Sequence, residues 1–228
     1  MYFFDSYYFI LVVPAILVAM WAQARVNSTY ARFEKMRCNC GYTGAVLARR
    51  ILDEYNLSDV RVERIAGHLT DHYDPRDRVV RLSQSVFDSS SIAALGVAAH
   101  ETGHAVQHDS AYLPLTVRNA IIPVTNFGSK LSMPLILLGF LLGMEPLVQL
   151  GILAFSAMVI FQLITLPVEF NASSRAIAVL EGDGMFSREE VNGAKKVLSA
   201  AALTYVAALM VSVMQLIRLL LLFGRRRD

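Results

Sequence analysis

Apolar positions gather into four long runs, and the polar ones collect in the intervals between them. Residues 9–24, 131–142, 147–166 and 200–223 are almost free of charge. A span needs about 20 apolar residues to cross a bilayer. Residues 9–24 predict an N-terminal anchor, and 121–142 and 147–166 predict a transmembrane hairpin turned by the "GMEP" stretch. Residues 200–223 predict a last apolar helix. The anchor follows "MYFFD", which lacks the basic residues of a signal peptide. Although Ala22-Gln23-Ala24 resembles a cleavage site, the segment is expected to remain in place.

Between the runs the periodicity changes. Residues 44–57 carry Val46, Leu47, Ile51 and Leu52 at helical spacing. "DVRVERIAG" alternates like a strand, with Val60, Val62 and Ile65 separated by charge. "DPRDRVVRLS" opens on a turn signal and runs into a second strand, so the two are expected to pair antiparallel. "FDSSSIAALGVAAHETGHAVQH" then begins a helix that Asp88, Ser89, Ser90 or Ser91 could cap, with no proline before Pro114. The predicted organisation is an anchor (1–24), a soluble part (25–113), a transmembrane hairpin (114–167), a polar helix (168–199) and an apolar helix with a basic tail (200–228). The fold class is a mainly α integral membrane protein of about four transmembrane helices carrying a small α+β part.

Composition supports a membrane protein: 55% of residues are hydrophobic and mean hydropathy is +0.45. A net charge of +2, with no basic stripe, argues against nucleic acid. No glycine-rich phosphate loop is present. Arg25, Arg32, Lys35, Arg37, Arg49 and Arg50 follow the first span, which predicts an outside N-terminus and a cytoplasmic soluble part of a cell-membrane protein. The hairpin fits that topology. The last span does not, because a full crossing puts Arg225, Arg226 and Arg227 outside and Arg218 in lipid. Asn126 and Lys130, also within a span, are expected to face a cavity or a neighbouring helix. Cys38 and Cys40 are expected to be free thiols, since a disulfide between cysteines two apart meets poor geometry.

Three of the 5 histidines fall within nine positions of the capped helix. His100 and His104 are one turn apart on one face, and His-Glu-x-x-His is the pattern by which two imidazoles clasp one zinc ion. Glu101 lies beside the first and is placed to take a proton from water rather than to bind metal. His108 is two turns from His100, a rise of about 12 Å, which is too far for bonds of about 2 Å; it either hydrogen-bonds near the site or faces solvent. A catalytic zinc takes a third protein ligand. Glu145 lies at the wrong end of the hairpin, and Glu181, Asp183, Glu189 and Glu190 read as solvated surface. Glu169, flanked by Val168 and Phe170 just after Pro167, would be costly to bury unpaired. It is therefore the expected third ligand, against the alternatives of a salt bridge to Arg175 or a helix-start carboxylate.

"AALGVAAHETGHAVQH", "GHLTDHYDPRDRVVRLS" and "LPVEFNASSRA" together resemble the bacterial membrane-embedded neutral zinc metallopeptidases, distant relatives of the HtpX and CAAX-prenyl endopeptidase group of gluzincins. The resemblance covers about residues 44–220. It implies a zincin-like protease part, one Zn2+ held by His100, His104 and Glu169, and Glu101 as general base. It also implies a substrate-binding edge strand near His68, His72 and Tyr73, where His72 and Tyr73 are candidates to steady the oxyanion. HtpX-like relatives carry an aspartate four residues after the glutamate ligand. Here Ser173 stands in its place, so Asn171 and Ser173 are the candidates to orient a ligand. The expected activity is hydrolysis of a peptide or membrane-protein substrate at the cytoplasmic face, with the bilayer as the other partner and the oligomeric state open. The competing expectation is a zinc-stabilised scaffold without turnover, which would have no use for Glu101.

Overall fold

The computed structural model describes residues 5–224, so the basic tail at Arg225–Arg227 lies outside the described residues. The elements are α1 (Val13–Glu34, preceded by a π-turn at Tyr8–Val12), α2 (Gly44–Glu54), β1 (Arg61–Ile65), β2 (His72–Asp74) and β3 (Val79–Ser83). They continue as α3 (Gln84–Phe87), α4 (Ile92–Asp109), α5 (Leu113–Leu142), α6 (Glu145–Gly182) and α7 (Arg188–Gly224). Among the described residues, four helical stretches are long and apolar enough to cross a membrane: Tyr8–Glu34, Leu113–Leu142, Glu145–Gly182 and Arg188–Phe223. The protein is a mainly α membrane protein with a small α+β part.

The chain forms two compact units. One is built from the chain up to Gln23, Thr116–Pro167 and the chain from Leu203 on. Ile136, Val148, Ile152, Phe155, Val159 and Leu219 form its interior, while Phe127, Leu141, Leu153 and Ile160 stand exposed. Large apolar side chains pointing outward along four helices are what a lipid solvent favours. Gly143, at φ +65°, supplies the left-handed turn that joins α5 to α6.

Arg218 does not face lipid. It is buried, donates from Nε (2.9 Å) and Nη2 (2.6 Å) to Asp5 Oδ2, and lies 5.2 Å from the centre of the Tyr8 ring. Pairing with a carboxylate and an aromatic face offsets the cost of a charge among apolar helices. Asn126 and Lys130 are exposed on α5.

The other unit comprises Ala24–Leu115 and Val168–Ala202. Its centre is α4, which is apolar nearly all round and buried along most of its length. One side packs in a cluster with Phe33, Leu47, Ile51, Leu180 and Val197; the other meets Leu52, Val60, Val80, Leu82 and Val86. Ser91 is the cap, its Oγ accepting from Ala94 N at 3.2 Å.

The sheet has the order β1-β3-β2. β1 and β3 pair in parallel, Arg61 opposite Val79 through Ile65 opposite Ser83, which corrects the expected antiparallel pair. The reason is β2, only three residues long, which reverses the chain first and pairs antiparallel with β3 (Tyr73 opposite Val80). Parallel neighbours need a crossover, and the segment containing β2 supplies it. The "DPRD" turn forms as expected, with Asp74 Oδ1 accepting from Arg76 N at 2.9 Å. β2 ends up as an edge strand.

Three further expectations change. Cys38 and Cys40 do not stand apart as expected: the turn at Asn39 brings their Cα atoms to 5.4 Å and their sulfurs into contact. The Asp183 side chain and Glu190 are buried rather than solvated. Asp183 pairs with Arg50 at 3.1 Å, and Glu190 accepts from Asn39 N (2.8 Å) and Ser187 N (2.7 Å). Finally, the polar helix expected from residue 168 is no separate element but continues the preceding span, α6 running through Pro167 to Gly182.

Candidate metal centre

The helix-spaced histidines project from α4 toward the stretch of α6 that follows Pro167. Their rings meet edge to face with centroids 4.8 Å apart. Glu169 Oε2 lies 3.3 Å from His100 Nε2 and 3.7 Å from His104 Nε2. One donor atom from each of the three residues falls within 4.8 Å of the others. Two donors bound to one tetrahedral zinc at bonds of 2.0–2.1 Å lie about 3.4 Å apart. Two imidazoles and a carboxylate are a donor set that zinc accepts, and both histidine–glutamate separations lie near that distance.

The approach that makes this possible depends on Gly103. A Cβ built there would lie 2.9 Å from Ala172 O and 3.4 Å from Ala172 C and Cα, so any larger residue would push α6 away. Gly103 sits one position before His104, and Ala172 three after Glu169. The close backbone contact is thus at the level of the donors.

Glu169 is 4% exposed. A carboxylate so buried needs a positive partner. The sequence left open a salt bridge to Arg175, but Arg175 Nε donates instead to Asn171 Oδ1 at 2.8 Å. Burial on its own would lower the His104 imidazole pKa; the hydrogen bond to Glu169 and the charges of Glu101 and Glu169 outweigh it and hold the pKa above the ordinary value.

Each imidazole is also held at its other nitrogen. His100 Nδ1 lies 3.1 Å from Ser173 Oγ, so the serine at the departure from the HtpX-like pattern does touch a histidine. His104 Nδ1 lies 2.9 Å from Gln107 Oε1. Gln107 is fully buried and bonds onward to Val168 O at 2.8 Å and Asn171 Oδ1 at 2.9 Å. Sequence reasoning overlooked Gln107. The available signal was a glutamine three positions after His104, on the same helix face, in the otherwise apolar stretch "HAVQH".

Glu101 is half-buried beside His100, and none of the described residues hydrogen-bonds to it. His72 and Tyr73 are not brought into the cluster. His72 is exposed at the start of β2, its Nδ1 2.8 Å from Thr70 O. The Tyr73 hydroxyl lies 2.8 Å from His108 Nδ1, and burial raises its pKa, so it stays protonated. That contact gives His108 its place: it ties the end of α4 to the edge strand.

Residues 8–224 match the model of a family described as "Putative neutral zinc metallopeptidase". The chain belongs to this neutral zinc metallopeptidase family. A curated protein of Bacillus subtilis (strain 168), named "Putative membrane protease YugP", is 52% identical over 218 residues, covering 96% of this chain and 97% of that protein. No solved structure matches. The His100–His104–Glu169 cluster is the one group of three or more His, Cys, Asp or Glu donors among the described residues that could hold a metal ion.

Proposed function

We propose that the chain is a membrane-embedded zinc metalloendopeptidase in which His100, His104 and Glu169 hold one zinc ion and Glu101 is the general base. The observation that carries this is the convergence of two imidazole nitrogens and a buried carboxylate oxygen at metal-ligand spacing, with a free carboxylate beside them. The family description and the printed name of the Bacillus relative point the same way.

Zinc in such a site supplies Lewis acidity, polarising a carbonyl and lowering the pKa of water. The residues do the rest. Glu101, adjacent to a ligand and without a hydrogen bond to any of the described residues, accepts the proton of the attacking water on its carboxylate. It then returns that proton to the departing amine nitrogen. The substrate lies extended along β2, whose outer edge offers backbone hydrogen bonds for strand addition. Of the two oxyanion candidates on that strand, the Tyr73 hydroxyl is engaged by His108 and His72 Nδ1 by Thr70 O, which leaves His72 Nε2 as the group to turn toward a substrate.

The basic residues after the first span favour a cytoplasmic site in a multi-pass protein of the cell membrane. Membrane-bound or membrane-proximal proteins are the substrate class that suits an enzyme so anchored. Purified in detergent, the protein is expected to carry one zinc per chain and to cleave casein. A strong chelator should abolish cleavage and added zinc should restore it. Undiminished cleavage by metal-free protein would contradict the proposal.

A further inference from the structure

Resting on the metal centre proposed above, we propose that Gln107 is a positioning residue. Together with Asn171 and Arg175 it pins the proton of His104 on Nδ1 and so keeps Nε2 available as a ligand.

The direction of every bond in this chain of contacts follows from its ends. Arg175 can only donate, and its Nε donates to Asn171 Oδ1 at 2.8 Å, which turns the Asn171 oxygen toward Gln107. Val168 O, a backbone carbonyl, can only accept. Gln107 Nε2 donates to both, at 2.9 Å and 2.8 Å. Two acceptors on one side leave the amide a single workable orientation, with Oε1 facing the imidazole. That oxygen can only accept, so His104 Nδ1, at 2.9 Å, must be the donor. A neutral imidazole protonated on Nδ1 presents the lone pair of Nε2, the atom that faces Glu169. Gln107 is fully buried, so water has no access to reverse the order.

His100 is held differently. Its partner, Ser173 Oγ, can donate or accept and so suits either tautomer. Among the described residues, directional control over the site's protons therefore runs through His104. The same bonds latch α4 to α6, because Val168 and Asn171 flank Glu169 on the helix that delivers it.

The test measures zinc affinity by chelator competition on the full-length protein in detergent, alongside thermal melting of the zinc-free form. Gln107→Leu, close in size, should weaken zinc binding by about 10–100-fold, the usual cost of losing such an outer partner. Asn171→Asp keeps an acceptor facing Arg175 and Gln107 and should stay within about threefold of the parent protein, whereas Asn171→Leu should fall toward Gln107→Leu. A role in packing alone would move the melting of the zinc-free protein and treat the two Asn171 variants alike. If Gln107→Leu binds zinc like the parent, or Asn171→Asp loses as much as Asn171→Leu, the relay is wrong. A parent protein that binds zinc through Glu169 yet ignores Gln107→Leu would refute the relay alone. A parent that binds no zinc would refute the metal centre with it.

Discussion

Glu101→Gln should leave the zinc content at that of the parent protein while casein cleavage falls by about 10²–10⁴-fold, the range that a positioned general base supplies. The amide matches the carboxylate in shape and cannot take up a proton at neutral pH. His100, His104 and Glu169 keep their contacts, because none of them bonds to Glu101. Metal content and turnover are thus separated by one atom exchange. A zinc-stabilised scaffold would be indifferent to the change, so a variant with its metal and full cleavage would remove the general-base assignment. Loss of both together would make Glu101 structural.

Gly103→Ala should weaken zinc binding by at least about tenfold, although the substitution adds a good helix former. A methyl at this position meets backbone, Ala172 O at 2.9 Å, which cannot swing aside as a side chain could. Relief comes only by moving α6 away from α4, and Glu169 travels with α6. Zinc sites tolerate about ±0.2 Å in their bonds, so a shift of a few tenths of an ångström is felt directly. Stability is the poorer readout here. Overpacking costs about 1–3 kcal/mol, and the exchange of glycine for alanine in a helix returns up to about 1 kcal/mol. Chelator competition on matched parent and variant protein checks this, and unchanged affinity would mean that the helices are not held at contact distance.

Much of the site is legible in the chain because its parts are local or costly. The spacing of His100 and His104 needs only a helix, and the Ser-rich start at Ser91 and the absence of proline supply one. Glu169 stands out because a carboxylate between Val168 and Phe170 at the end of an apolar run demands a partner. The spans follow from length and hydropathy, which lipid imposes without regard to tertiary detail.

What escapes is decided by contacts between distant segments. Gln107 looks like any polar helix residue until Val168 and Asn171 come alongside it. β2 is too short to announce itself by alternation, and without it β1 and β3 read as a hairpin. Asp183 and Glu190 sit among glycines and charges that suggest solvent, yet each caps or pairs with a segment far away in sequence. Pro167 reads as the end of the hairpin, yet α6 continues through it. For Arg218 the missing partner, Asp5, lies 213 residues away.

The most direct measurement is the zinc content per chain of the purified protein beside that of Glu169→Ala. Metal analysis is expected to find one zinc per chain in the parent and little or none in the variant, with the zinc-free forms melting alike. Equal zinc in both, or none in the parent, would contradict the assignment of the three-residue cluster as the metal centre.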